Sequence, residues 1–356
     1  MDDLRERIER RARALRPNEE DALEHVHRAV AHRARVRRVT AGAVSLSVFA
    51  LAVVWLAFQF RGSPSPRPRE PSPGVAPHLP AHISGVVATE GAIWALGSDG
   101  RGAKDGFLLR FDPETGHLVA STPVPGATLI AANDTTVWVS TFERGSVVEV
   151  NAATGSVVRT VGLGHLYFAP WLAPADDGVV VRRNDDVVWI GPEGTARVIA
   201  TVPFSAGVAF AAGDVWAYDE SGDVRRFSLE TGEVLATVHA GFPGFGGDIG
   251  QGTIGAAGGS VWVTGNHGLG RIDPGSDSVV ARVPGTGLYG TAITAGGGSV
   301  WAVDTRVLWK IDPATNTAIE VTVAGHPNGV AVSGGTVWVS NGTGTLARIP
   351  ICTPDC

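Results

Sequence analysis

From residue 82 onward the chain is written in short apolar or alternating runs, separated by Gly, Asp, Asn and Pro. Such runs read as strands and the separators as turns. The last complete unit sets the pattern. Gly329–Ser333 (GVAVS) reads as strand A, Thr336–Ser340 (TVWVS) as strand B and Leu346–Ile349 (LARI) as strand C. One unit earlier, Val307–Ile311 (VLWKI) reads as strand C and Ala318–Val323 (AIEVTV) as strand D. The N-terminal part follows other rules. Leu4, Ile8 and Leu15 form one helical stripe, ended by Pro17; Leu23, Val26 and Val30 form a second, with Asn18 as its N-cap. Thr40–Phe60 then runs for 21 residues without a charge.

The strand units repeat. Gly-Ser-Val-Trp recurs at Gly259–Trp262 and Gly298–Trp301, and Gly-Thr-Val-Trp at Gly335–Trp338. Looser copies place Trp94, Trp138 and Trp216; a seventh copy, Gly178–Val181, puts Val180 in the tryptophan position. These anchors lie 36 to 46 residues apart. A period of about 40 with several short strands per unit predicts an all-β fold, a seven-bladed β-propeller over residues 74–356. The tryptophans are expected to fill the space between blades. The C–D turns read Asp112-Pro113-Glu114-Thr115-Gly116, Asp273-Pro274-Gly275-Ser276-Asp277 and Asp312-Pro313-Ala314-Thr315-Asn316. There Asp caps the turn, Pro fixes φ and Gly or Asn takes the left-handed position, so the repeated Asp is turn chemistry rather than a calcium or catalytic set. Seven A, B and C strands can be counted but only six D strands. A shift of 244 positions aligns His326 with His82 and Ala318–Val323 with Gly74–Leu79. Residues 74–79 are therefore predicted to close the ring as the missing fourth strand.

Residues 40–60 span roughly 30 Å as a helix, enough to cross a bilayer. Arg33, Arg35, Arg37 and Arg38 crowd the N-terminal side and Arg61 alone follows closely. The positive-inside rule puts residues 1–39 in the cytoplasm and the propeller outside the cell membrane, on an uncleaved single-pass transmembrane helix. Residues 61–73 hold five prolines and read as a semi-rigid stalk. Two readings of residues 1–39 stand: a basic, topology-setting helical segment lying on anionic lipid, or a docking element for a cytoplasmic partner.

Charge follows the same division. Residues 1–39 carry eleven Arg against eight acids, whereas residues 81–356 carry fifteen Lys or Arg against twenty-six acids. An acidic propeller is a poor partner for nucleic acid. Cys352 and Cys356 are the only cysteines; outside the cytoplasm they are candidates for a disulfide.

Strand alternation places A–B and C–D turns on one face and B–C and D–A loops on the other. The first set is uniform. The second is irregular and carries His82, His165, Tyr167, Tyr289, His267, His326 and Asn328, the ligand-binding candidates. His82 and His326 open neighbouring blades. Three readings stand for them: caps of backbone groups, ligand contacts, or half of a metal or acid–base pair.

His326-Pro327-Asn328-Gly329-Val330-Ala331-Val332 and Val337-Trp338-Val339-Ser340-Asn341 resemble YVTN-type and streptogramin-lyase-like propeller repeats. The resemblance covers residues 74–356 and implies the seven-bladed fold. Streptogramin lyases use a histidine, nearby glutamates and a magnesium ion on such a face, with Glu common after Trp-x-Thr. The matching positions here are Gly265, Thr141 and Asn341, so no catalytic residue, metal or cofactor is assigned. The layout resembles membrane-anchored anti-sigma regulators, without their His…Cys-x-x-Cys zinc motif in residues 1–39. The expected function is an extracytoplasmic sensor or interaction module of a bacterial envelope that binds a ligand or protein partner. A lyase-like enzyme and a structural envelope scaffold are the alternatives.

Overall fold

The computed structural model describes residues 80–100, 105–203, 207–219, 221–241, 254–265, 268–283, 292–303 and 307–351. The expected helical segment (1–39), membrane span (40–60), stalk (61–73) and closing strand (74–79) lie outside the described residues. The described part holds seven antiparallel sheets. Six have four strands in sequential order and the seventh has three. This is the seven-bladed propeller that the repeat predicts. Strands A and B of blade seven fall at Gly329–Ser333 and Thr336–Ser340, as the sequence indicates. Strand C runs one residue further, to Pro350. In blade six, strands C and D are Leu308–Asp312 and Thr317–Val321, each displaced from its expected span.

Apolar residues gather in seven clusters, one for each pair of adjacent blades. Trp94 of blade one packs with Val137 and Val139 of blade two. Trp216 of blade four packs with Ile254 and Val261 of blade five. Trp338 of blade seven packs with Ala95, Leu109 and Phe111 of blade one, which closes the ring. The inner strands touch backbone to side-chain position at that seam: a Cβ on Gly329 would lie 2.8 Å from the Val86 N and 2.9 Å from the Gly85 Cα. The indole nitrogens turn back onto their own blade. Trp216, Trp262 and Trp301 donate to the carbonyls of Ala211, Ala257 and Gly296 at 3.0–3.2 Å.

A cation completes five of the anchors. Trp94, Trp216, Trp262, Trp301 and Trp338 stand opposite Arg110, Arg226, Arg271, Lys310 and Arg348 on strand C. Each cationic head lies 4.9–5.6 Å from the centre of its tryptophan ring. Several also reach the C–D turn of the next blade. Arg226 Nη1 donates to the Pro274 carbonyl at 3.0 Å and to Asp277 Oδ1 at 2.9 Å. Arg271 donates to the Pro313 carbonyl and to Asn316 Oδ1. Arg348 donates to the carbonyls of Glu114 and Thr115 in blade one, 233 residues and more away in sequence. One guanidinium thus stacks within its blade and fastens the next.

Blades two and three depart from this rule. Val180 faces Trp189 on strand C, and Arg197 on strand D stacks on Trp189 at 5.5 Å. The tryptophan–arginine pair has moved outward by one strand. Arg197 still donates to the next blade, to the carbonyls of Leu229 and Glu230. In blade two the residue opposite Trp138 is Glu149, which pairs with Arg159 on strand D at 3.1 Å.

The turn reading of the repeated Asp holds. Asp112 Oδ1 accepts from the Glu114 and Thr115 backbone N–H groups and from the Thr115 hydroxyl. Asp273 and Asp312 repeat the arrangement. The left-handed position is taken by Gly116, Asn316 and, in blade five, Asp277.

Two outcomes are expected. A double-mutant cycle of Trp216→Leu and Arg226→Met should give a coupling of about 0.5–2 kcal/mol by chemical denaturation; additive losses would dismiss the stacking role. Stability should also depend on acid. Bonds to Thr115 first, to Ser276 and to Ala314 hold the carboxyls of Asp112, Asp273 and Asp312 below the ordinary value of 3.8. A lowered folded-state pKa stabilises above the unfolded value and is lost as pH falls through the folded value. Denaturation midpoints should hold steady down to about pH 5 and drop below about pH 4, with a shallower drop when all three residues are Asn.

Candidate functional site

The seven inner strands carry no Asp, Glu, Lys or Arg. Any chemistry of the ring therefore sits at its mouths and loops. The B–C and D–A face gathers several of the sequence candidates, and their partners are now visible.

His82 lies within strand A of blade one rather than in a loop. Its Nδ1 is 3.1 Å from the Gly342 carbonyl of blade seven, so it caps the neighbouring blade's B–C loop. The His326 N–H donates to the Asn341 carbonyl at 3.2 Å, on the same loop. The two histidines thus flank one loop tip, each joined to a backbone carbonyl. Asn328 is structural: its Oδ1 accepts the Ser340 hydroxyl at 2.6 Å. Among the described residues no group of three His, Cys, Asp or Glu comes together as a metal site. His267, Tyr289, Cys352 and Cys356 lie outside the described residues.

The position where lyase-like repeats carry Glu has a common use here. Asn341 Oδ1 accepts the Thr343 N–H and hydroxyl. Thr141 donates to the Ser146 carbonyl. In blade four the position is Asp219, which the repeat comparison overlooked. Asp219 is buried, accepts the Ser221 and Asp223 N–H groups and pairs with Arg225 at 3.0 Å. All three side chains cap their own B–C turn, and both Asp219 oxygens are engaged, Oδ1 by the turn and Oδ2 by Arg225.

Blade four has further polar structure. Tyr218, at the end of strand B, is buried. Burial, with the Asp219 and Asp223 carboxylates, pushes its hydroxyl up to about 12. Asp223 Oδ1 lies 2.7 Å from Nδ1 of the exposed His239. Neither Asp223 nor His239 was singled out by sequence, because sixteen residues separate them and only the C–D pairing brings them together.

His165 and Tyr167 are brought together, between blades two and three. Their rings meet edge-on with centroids 5.0 Å apart. Tyr167 is 71% exposed and Phe168 43%. Asn184 holds the loop at two points. Its Oδ1 accepts the Tyr167 N–H at 2.7 Å and its Nδ2 donates to the His165 carbonyl at 3.0 Å. Asn184 is left-handed, with φ of 56°, a conformation that asparagine tolerates. Arg182 lies 5.7 Å from the Phe168 ring and donates to the Ala169 carbonyl at 3.0 Å. Burial lowers the Arg182 pKa, against the pull of Asp185. The adjoining loop of blade two is locked in as well, since the Leu163 N–H donates to the Gly145 carbonyl at 2.6 Å, and it exposes Phe142. The arrangement is an exposed aromatic surface on a fixed backbone.

On the opposite face, Ala88, Thr89, Glu90, Asp134, Val332 and Ser333 line an open depression of about 300 Å³ between blades seven, one and two. The turns of that face are the ones the sequence shows as uniform.

No protein-family model matches the chain, and no curated protein matches it in sequence. Among solved structures 1309 chains match, so the architecture is widespread and says little of activity. One is a streptogramin B lyase structure, with a TM-score of 0.59 and 14% identity over 77% of this chain and 96% of that one. At that identity the likeness is one of fold alone.

Asn184→Gly keeps the left-handed backbone and removes both loop bonds. Exchange of the Tyr167 amide should then quicken about five- to tenfold with little change in melting temperature. Unchanged protection would show that Asn184 does not hold the loop.

Proposed function

We propose that the chain is a membrane-anchored binding module whose propeller stands outside the cell and engages an envelope partner through the loops joining blades two and three. The observation that carries this reading is the aromatic surface of Tyr167 and Phe168, exposed yet fixed by Asn184. Exposed apolar surface on a rigid support marks interaction sites. The anchor rests on the uncharged stretch 40–60 and the arginines before it. With a Pro-rich stalk at 61–73 and a short basic segment at 1–39, the layout suits a sensor that recognises outside and reports inside. The lyase-like alternative has less support, since among the described residues at that position Asp219, Asn341 and Thr141 are all engaged in turns.

Thiol accessibility in intact cells tests both halves. In full-length protein with Cys352 and Cys356 replaced by Ser, Val234→Cys on the exposed outer rim should react with a membrane-impermeant maleimide, and Asn18→Cys should not. Tyr167→Cys should react slowly in cells and rapidly after purification, because the partner covers it. The reverse labelling of positions 18 and 234 would defeat the topology. Equal reactivity at 167 before and after purification would defeat the binding surface.

A further inference from the structure

Blade seven presents an unfinished edge. Its strand C, Leu346–Pro350, pairs with strand B, and among the described residues no strand pairs with its outer side. The consequence shows in burial. Leu308 and Ile311 on strand C of blade six are fully buried. Leu346 and Ile349 occupy the same positions in blade seven and are only half-buried. An apolar edge with free backbone groups pairs with any strand that reaches it.

We infer that Gly74–Leu79 of this chain is the strand that covers this edge, so that the ring is locked by the segment leading to the stalk. Where the described chain begins points to this occupant. Pro80 lies between blades one and seven: a Cβ on Gly97 would fall 2.4 Å from its Cγ, and one on Gly344 2.7 Å from its carbonyl oxygen. The Ile83 N–H donates to the Thr343 carbonyl at 2.9 Å. Residue 80 therefore sits beside the start of strand C of blade seven. That is where an antiparallel strand D must end. In blade six the last residue of strand D, Val321, pairs with the first of strand C, Leu308. The chain before Pro80 thus arrives at the correct end of the open edge and in the correct direction.

Composition agrees. Gly74–Leu79 (GVAPHL) bears no Asp, Glu, Lys or Arg, and Val75 and Leu79 supply apolar cover. Pro77 lacks an N–H, which an outermost strand tolerates. Register follows from the repeat. Lys310 and Arg348 each face the tryptophan of their blade. Trp309 pairs with Glu320 in blade six, so Ala347 faces Ala76 in blade seven. The seam that His82 and Arg348 fasten would then also be where the stalk joins the ring.

The inference does not depend on the partner-binding surface and is tested without it. In full-length protein lacking Cys352 and Cys356, Ala76→Cys with Ala347→Cys should form an intramolecular disulfide on mild oxidation, since directly paired strand residues are within disulfide reach. Val148→Cys with Thr160→Cys, a described strand C–strand D pair of blade two, serves as the positive control. Cross-linked peptides identified by mass from a single chain would support the closure. No link where the control pair links, or links only between two chains, would overturn it; the second result would give the edge to another copy. Replacing residues 74–79 by a Gly-Ser stretch should lower the melting temperature and increase aggregation. An unchanged melting temperature would also overturn it.

Discussion

The ring leans on one recurring interaction: in blades four, five and seven a cation stacked on a tryptophan inside the blade also bonds the turn of the next. Each half is modest. Stacking contributes about 0.5–2 kcal/mol depending on exposure, and each hydrogen bond about 1 kcal/mol net. Their value lies in geometry. The tryptophan fixes the guanidinium plane, and the plane fixes where the neighbouring C–D turn must sit. Arg226 bonds Asp214 at the start of its own strand B and Asp277 of the next blade at once. Arg348 does the same work across the seam to Glu114 and Thr115. Blade-to-blade angle is thereby set by side chains of fixed shape rather than by apolar contact alone, which is tolerant of sliding.

The tryptophan-stacked arginines fasten one face. Every inter-blade arginine bond described above ends at a C–D turn, so those turns hold a constant backbone, and the Asp that caps each serves that end. The B–C and D–A loops join neighbouring blades at fewer points, as where His82 meets the Gly342 carbonyl and Arg282 the Ala240 carbonyl. They are free to differ in length and content, which is why His165, Tyr167, Phe168 and Phe142 stand on that face. The division into a structural face and a presenting face thus follows from where the arginines reach.

The sequence showed the tryptophan anchors, the blade count and the turn Asp, because each is local: a period, a dipeptide, a cap two or three residues away. The cation was equally visible as the Arg or Lys two residues before the turn Asp in Arg110, Arg271 and Lys310, but its function depends on strand register and on the next blade. Asn184 was silent for the same reason; it acts on a loop 17 to 19 residues earlier. The burial of Tyr218 is equally hidden, since it comes from packing against blade five. His82 reaches a carbonyl 260 residues away, and only ring closure brings that contact about. Local chemistry was legible; contacts created by the closed ring were not.

The departures from the rule are themselves informative. Five blades keep tryptophan on strand B opposite a cation on strand C. Blade three moves the pair outward to Trp189 and Arg197, and blade two sets Glu149 against Trp138, with Arg159 one strand further out. These two blades are neighbours, and the loop between them carries the exposed aromatics. In both, the strand C position that holds the cation elsewhere is given to another residue. Burial raises the Glu149 pKa against the pull of Arg159, so this carboxylate is held there at a cost. Local rules are broken most often where a protein serves something besides its own stability. Blade three also fills its strand B end with Arg182, which lies against Phe168 and bonds the Ala169 carbonyl of the same loop. Among the described residues, the ring's regularity is relaxed in the two blades whose connecting loop exposes Tyr167 and Phe168, and Arg182 and Asn184 of blade three hold that loop.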